Sequence, residues 1–382
     1  MLVRSKYTYY FPFFLMFFLY QCTSSSNSNE GTAKEIQVEF NSIEPQSTSI
    51  LKNITFVKLE TGNDILLDNV IQTEVFEEII YILCGSGLYA FDLSGNYIRS
   101  IITAGDGPGE FLSPYSFWID KEGFVYILDR QLNRLQKYQT ENFNFVETIT
   151  MPHDSPIGFA KIEKNDVFIY YYPLRLNRGI EEKQLFIANK KGEIISDLYI
   201  GNASGKILHG NNSNFYTLAD KLMFYPYFSN KIYEIDTDTL FNSYALSFKG
   251  HEFPDQNIFT KYDNSGDIMK EILFGKNEWI RLIYIYETET NLVVKYYIKK
   301  DFYIAAWNKI NNTTINFKYS EVKDDLGIGG KFPLPIGVYD DQFIGIINPY
   351  DIDKDLIKNI ELKKMTDNIS EEDNPILCFY TI

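Results

Sequence analysis

Two kinds of side chain that could bind a ligand or a metal ion fall between the repeated segments of this chain. The segment AGDGPGEF carries Asp106 and Glu110, and the chain's three histidines, His153, His209 and His251, each follow an apolar segment. Imidazole and carboxylate groups together suit a divalent metal ion. We therefore predict a ligand site where these segments meet. We expect no cofactor there, with a divalent metal ion as the alternative.

The glycine-rich segment also has a purely structural interpretation. Gly105, Gly107 and Gly109 permit positive φ, and Pro108 fixes one φ at about −65°. A rigid crossover would result, with Glu110 bonded to backbone amides of its own loop. The segment is not a nucleotide-binding loop, because its glycine spacing is wrong and no helical pattern follows it.

Aromatic side chains near predicted loops are further binding candidates. Tyr115 and Trp118 follow the glycine-rich segment, and Tyr225 and Tyr227 flank Pro226. Such rings stack on sugars, although strand alternation buries about half of any such set between sheets. We place Tyr115 and Trp118 in the predicted ligand site.

These candidates must be positioned by a repeated unit of strands and turns. The segments EIIYILCGSGLYAFDLSGNYIRSI and EGFVYILDRQLNRLQKYQTENFNFVETI share one order of apolar strands and short polar turns. A self-similar unit of about 45 residues made of strands and turns is the signature of a propeller blade. The units run over about 70–102, 113–151, 157–200, 214–248, 279–320 and 335–382.

The strand count predicts how the ring closes. The last unit is one strand short, while the apolar segment 52–60 has no partner beside it. Pairing the two removes both open sheet edges. We therefore predict an all-β fold over 51–382: a six-bladed β-propeller with four-stranded antiparallel blades, closed by an N-terminal strand that joins the last blade. Segments 257–273 and 350–368 are predicted helical insertions.

The first 50 residues have a different character. A basic start and an apolar run of about twelve residues predict a signal peptide over 1–21. Cys22 stands between this run and a Ser/Asn-rich stretch, as in a bacterial lipoprotein signal, so we predict that Cys22 is lipidated. Residues 22–50 are then a flexible tether. The membrane would be contacted through the lipid anchor only.

Composition narrows the classes of function. Hydrophobic residues make up 45% and aromatic residues 16% of the chain, which excludes disorder over most of its length. The net charge of −15 repels phosphate backbones, so we exclude nucleic acid as a partner. Cys84 and Cys378 lie in apolar segments typical of buried strands, where a lone thiol behaves as a small hydrophobe.

Three segments resemble a known family. They are YILDRQLNRLQKY, GDGPGEF and the ending EEDNPILCFYTI. Together they look like the six-bladed β-propeller lipoproteins of Bacteroides and relatives, whose fold is similar to that of NHL-repeat propellers. The resemblance implies this fold and an outer-membrane lipoprotein of the cell envelope, facing the periplasm or the outside. It implies no particular activity.

The combined expectation is a binding module without catalysis. Its site at the mouth of the propeller channel would take a glycan, a peptide or an envelope protein. The alternative is a metal-assisted hydrolase or lyase at the same mouth.

Overall fold

The computed structural model describes residues 33–40, 45–62, 65–102, 104–172, 184–198, 214–254, 256–262 and 264–382. Cys22 and the predicted signal peptide lie outside these residues. Among the described residues, no helix is long and apolar enough to cross a membrane.

Twenty-five strands are described. In chain order they are β1 (Lys34–Val38), β2 (Lys52–Lys58), β3 (Val70–Phe76), β4 (Ile79–Cys84), β5 (Leu88–Asp92), β6 (Tyr97–Ile101), β7 (Pro114–Ile119), β8 (Phe124–Asp129), β9 (Arg134–Gln139), β10 (Phe145–Thr150), β11 (Gly158–Ile162), β12 (Val167–Tyr171), β13 (Leu185–Ala188), β14 (Ile194–Leu198), β15 (Phe215–Leu218), β16 (Lys221–Phe224), β17 (Lys231–Asp236), β18 (Thr239–Phe248), β19 (Ile280–Glu287), β20 (Asn291–Ile298), β21 (Asp301–Asn308), β22 (Thr313–Lys318), β23 (Pro335–Tyr339), β24 (Gln342–Ile347) and β25 (Ile376–Thr381).

Helices are few and short. The α-helices are α1 (Ser47–Ile50), α2 (Gln256–Lys261), α3 (Ser265–Phe274) and α4 (Ile360–Thr366), and the 3₁₀ turns are Glu163–Asn165, Tyr319–Glu321, Pro349–Asp351 and Lys354–Leu356. The helical segments lie where the two insertions were predicted, apart from α1 and the first two 3₁₀ turns.

The strands form six antiparallel blades arranged in a ring. Blade 1 is β3–β6, blade 2 β7–β10, blade 3 β11–β14, blade 4 β15–β18, blade 5 β19–β22, and blade 6 pairs β2, β25, β24 and β23. The inner strands β19, β23, β3, β7, β11 and β15 contact one another in that order around the axis. The predicted six-bladed β-propeller is confirmed.

The second strand of each blade shows why this sequence folds into blades. The segments IIYILC, FVYILD and VFIYY of β4, β8 and β12 are almost entirely buried. Both of their faces pack against a neighbouring blade, so the strands are apolar on both faces. Burial raises the pKa of the thiols of Cys84 and Cys378, which lie free and buried in β4 and β25.

Ring closure follows the predicted route. β2 pairs antiparallel with β25, with Phe56 opposite Cys378, and becomes the outermost strand of blade 6. All six inner strands run in the same direction along the channel. The crossovers between blades therefore lie on one face of the ring, together with the loops joining second to third strands. We call it the entry face.

One part of the predicted tether is folded. β1 pairs parallel with β18 and gives blade 4 a fifth strand, with Ile36 and Val38 buried beneath it. Further along, Ser47 Oγ donates to Asp325 Oδ1 at 2.9 Å, which fixes α1 beside blade 5. The prediction of a flexible tether over the whole of 22–50 was therefore wrong, because a few apolar residues in a polar stretch suffice to cover a sheet edge.

Candidate functional site in the propeller channel

The channel contains a partly open cavity of about 230 Å³. Its wall is built from the inner strands of blades 1, 2, 4, 5 and 6. The polar and aromatic residues of this wall include Thr73 and Glu74 of β3, Trp118 of β7, Tyr216 of β15, and Tyr284 and Glu287 of β19, with Tyr225 contributed by the loop after β16.

Glu74 is held in a fixed orientation by its neighbours. Gln72 Nε2 donates to Glu74 Oε1 at 2.7 Å, and the backbone N–H of Ile119 donates to the same carboxyl group. Gln72 is itself clamped, since its amide exchanges two hydrogen bonds with the backbone of Phe117 at 2.9 and 3.0 Å. The carboxyl group thus points into the channel from a rigid support.

Burial raises the pKa of Glu74 to about 8, against the smaller lowering effect of its two hydrogen bonds. Desolvation disfavours the charged carboxylate, and no cationic group offsets that effect here. At neutral pH the group is therefore mostly the neutral acid. It can donate one hydrogen bond to a ligand as well as accept one.

The second carboxyl group of the cavity has a different environment. Glu287 is 3% exposed, and it accepts a hydrogen bond of 2.6 Å from the hydroxyl of Tyr216. Lys309 Nζ lies 2.7 Å from Glu287 Oε1 and balances its charge. The bond from Tyr216 ties blade 4 to blade 5, and the Lys309 pair leaves Glu74 as the carboxyl group without a cation in the described cavity wall.

Two buried donors in the wall lack partners among the described residues. They are the indole Nε1–H of Trp118 and the hydroxyl of Thr73. Buried polar groups are nearly always hydrogen-bonded in folded proteins, to protein, water or ligand. Together with Glu74, these two donors give the cavity a polar recognition surface between aromatic walls.

Tyrosines cluster on the entry-face side of the cavity, around the loop after β16. Tyr227 lies within electrostatic range of Tyr115, Tyr225 and Tyr284, and burial raises the pKa of its hydroxyl, which therefore stays protonated. Tyr227 and Phe228 pack against Ile268 and the other apolar residues of α2 and α3. The first helical insertion therefore supports the channel mouth.

The predicted aromatic residues lie in two places, the cavity wall and the entry-face side of the cavity. Trp118 lines the cavity, and Tyr115, on the same strand, lies at the mouth with Tyr225 and Tyr227. The second insertion lies on the same face but bonds to a different segment: the backbone N–H groups of Asp353 and Lys358 donate to the crossover between blades 5 and 6.

Asp106 and Glu110 are not brought to the channel. Arg134 of β9 donates to the carbonyl oxygens of Asp106, Gly107 and Glu110, so the loop lies over the outer half of blade 2. The carboxylate of Glu110 turns inward and accepts from the Gly107 N–H at 2.9 Å. The loop therefore has the geometry of a rigid crossover, with Glu110 bonded to a backbone amide of its own loop. The predicted placement of Asp106 and Glu110 at the channel mouth was wrong.

The histidines are not brought together either. His153 packs edge-on against Phe186 of blade 3, at 4.9 Å between ring centroids. His251 Nδ1 lies 3.3 Å from the carbonyl oxygen of Glu278, and the ring of Phe40 packs against it at a tilt of 57°, between blades 4 and 5. His209 lies outside the described residues. Over the described part of the chain, no group of three or more His, Cys, Asp or Glu could hold a metal ion.

Sequence reasoning missed Glu74, Thr73 and Glu287. The alternation of apolar and polar residues along a strand does not reveal which edge of the strand faces the channel. These three residues therefore could not be told apart from other polar strand residues. One signal was available: the strand VIQTEVF carries Gln72 and Glu74 two residues apart in an otherwise apolar blade. Two polar side chains on one face of an innermost strand indicate a polar channel wall.

Comparison with known proteins identifies the family. Residues 34–381 match the profile described as "Domain of unknown function (DUF4934)". The chain belongs to this family. No curated protein matches it.

One solved structure has the same fold. A "Putative exported protein" from Bacteroides fragilis NCTC 9343 has a TM-score of 0.81 and 22% identity, with 91% of this chain and 99% of that chain covered. At this identity the likeness shows the fold alone. A virginiamycin B lyase from Staphylococcus aureus has a TM-score of 0.43 and 10% identity, with coverage of 86% and 100%, and carries no functional argument.

Proposed function

We propose that this DUF4934 protein is a non-catalytic binding module of the cell envelope that holds one sugar unit of a glycan in the propeller channel. The observation that carries the proposal is the cavity wall, which Glu74, Trp118 and Thr73 line together, with buried donors on Trp118 and Thr73 that have no partner among the described residues. A sugar presents hydroxyl groups that both donate and accept, together with C–H faces that pack on aromatic rings. The donors and the carboxyl group of this wall match the hydroxyl groups of a sugar, and its aromatic rings match the C–H faces.

The size of the cavity supports a small occupant. Pockets for drug-sized ligands span about 300–1,000 Å³, and this cavity measures about 230 Å³. A peptide segment or a protein domain would not enter it. The end of a glycan would, with the rest of the chain leaving through the tyrosine-lined mouth.

The test is glycan-array screening followed by titration calorimetry on the leading hits. Trp118→Phe removes the indole N–H and keeps an aromatic ring, while Glu74→Met removes the donor and the acceptor of the carboxyl group and keeps the length of the side chain. We expect each variant to weaken binding about tenfold, the value of one buried hydrogen bond. Trp279→Phe is the matched control, because its indole N–H is also buried and unpaired among the described residues but lies in a separate groove beside His251.

Two outcomes would overturn the proposal. One is unchanged affinity in both channel variants, which would place the ligand elsewhere. The other is recovery of a cleaved or eliminated glycan after incubation, read by mass spectrometry, which would favour the hydrolase or lyase alternative.

The envelope location rests on the signal-peptide pattern and on Cys22. We propose that Cys22 carries a lipid that anchors the propeller to the outer membrane. Metabolic labelling with an alkyne fatty acid should tag the wild-type protein and leave Cys22→Ser unlabelled and free of the membrane fraction. Equal labelling of both proteins would refute the anchor.

A further inference from the structure

Two arginines at the entry face have unusual surroundings for a protein of net charge −15. Of the arginines in the described residues, Arg99 and Arg134 donate to backbone carbonyl oxygens. Arg130 and Arg281 instead face tyrosine rings. No described carboxylate pairs with either guanidinium group, although acidic residues outnumber basic ones in this chain 51 to 36.

The two guanidinium groups sit on opposite sides of the channel mouth. Arg130, in the loop after β8, lies 4.7 Å from the ring centroid of Tyr115 and donates to its hydroxyl. Arg281, at the start of β19, lies 4.7 Å from the ring centroid of Tyr297. Its Nε–H is buried and has no hydrogen-bond partner among the described residues.

Tyr227 lies between them. Its hydroxyl is within electrostatic range of Tyr115 on one side and of Arg281 on the other, and it is buried without a partner in the described part of the chain. Its backbone is fixed by a bond of 3.2 Å from its N–H to the hydroxyl of Tyr171, and its ring stacks on the same residue. Arg130, Tyr115, Tyr227 and Arg281 thus form a supported set of donors, which we call the rim row.

We propose that the rim row binds an acidic group, carboxylate or sulfate, on the glycan whose end occupies the channel. A planar guanidinium fork matches either group bidentately, and phenolic hydroxyls add neutral donors. The acidic surface of the protein repels anions in general. Two guanidinium groups that no described carboxylate pairs with then select a glycan whose charge is correctly placed. The inference rests on the proposed function and specifies the class of glycan.

The experiment is calorimetry with three matched disaccharides: one ending in glucuronic acid, its carboxyl-reduced neutral counterpart, and a sulfated counterpart. We expect wild-type protein to bind an acidic form at least about tenfold more tightly than the neutral one, since bonds to charged groups are the stronger ones. The acidic form that shows the preference identifies the group. The preference should shrink in high salt.

Variants separate this inference from the proposed function. Arg281→Gln and Arg130→Gln should bind acidic and neutral forms about equally, with neutral affinity unchanged, while Arg99→Gln should keep the preference. Thermal unfolding of each variant checks that it is folded, and Arg281→Met replaces Arg281→Gln if the glutamine variant does not fold. The rim-row proposal is overturned if the wild-type protein binds all three sugars with equal affinity, or if both glutamine variants keep the preference for the acidic form. Either result leaves the proposed channel site unaffected. Binding of none of them overturns both.

Discussion

At the scale of single residues, Glu74 shows how a location changes the chemistry of a side chain. The same carboxyl group on the surface would be ionised at neutral pH. In the channel it keeps its proton because burial raises its pKa to about 8 and no cation is near it. A proton held in the folded state and lost in the unfolded state makes stability depend on pH.

The sign of that dependence follows from where the proton is bound. Between about pH 4.5 and 8 the folded chain binds the proton of Glu74 and the unfolded chain does not, so stability falls as pH rises through this window. Glu74→Gln cannot ionise. We expect its free energy of unfolding to exceed that of wild type by a margin that grows from pH 5 to pH 9, measured by urea denaturation. Glu77→Gln, in an exposed turn, should show no such growth, and a constant margin for Glu74→Gln would contradict the raised pKa.

A buried ion pair outside the channel offers a second residue-level prediction. Lys161 Nζ lies 2.7 Å from Asp120 Oδ2, with side-chain exposures of 2% and 0%. Lys161→Met leaves the carboxylate buried without its cation and should cost about 3–5 kcal/mol in the free energy of unfolding. The control, Lys164→Met, removes an exposed lysine 4.0 Å from Asp236 and should cost less than about 1 kcal/mol. Similar costs for the two variants in chemical denaturation would refute this interpretation.

At the scale of elements, β1 adds a strand that the repeat pattern does not require. It covers the outer edge of blade 4 and reaches blade 5, where Thr314 Oγ1 donates to the carbonyl oxygen of Gln37 at 2.9 Å. An uncovered edge strand invites pairing with another chain. β1 therefore protects the longest outer strand of the ring, β18.

Truncating neighbouring residues of β1 to alanine should lower the free energy of unfolding by very different amounts. Ile36 is 3% exposed, so Ile36→Ala should cost about 2–5 kcal/mol in the free energy of unfolding. Gln37 points outward, and Gln37→Ala should stay within about 0.5 kcal/mol. Denaturant titration of both variants measures the difference. Two small values would mean that β1 contributes little to stability.

At the scale of the whole molecule, the ring closes through residues far apart in the chain. β2 begins at Lys52 and pairs with β25, which ends at Thr381. Without β2, β25 would become an open edge and blade 6 would lose its outer strand. Closure is thus a long-range contact on which the cooperativity of the whole ring depends.

Two truncations distinguish closure from edge protection. A chain that starts at residue 60 lacks both β1 and β2 and should aggregate, seen by size-exclusion chromatography with light scattering. A chain that starts at residue 45 lacks β1 but keeps β2, so it should stay folded, with a lower melting temperature and a tendency to pair through the exposed edge of β18. A monomeric chain from residue 60 with a wild-type melting temperature would disprove the role of β2.

The sequence alone predicted the blade count, the blade boundaries to within a few residues and the route of ring closure. It could do so because each blade repeats one local pattern of apolar strands and tight turns. Tertiary structure alone decided that Glu110 bonds its own loop, that His153 and His251 stay apart, and that Glu74 and Arg281 face the channel region. These outcomes depend on which edge of a strand points to the axis and on how far a loop lies from it. Both are set by the packing of blade on blade, which no local pattern encodes.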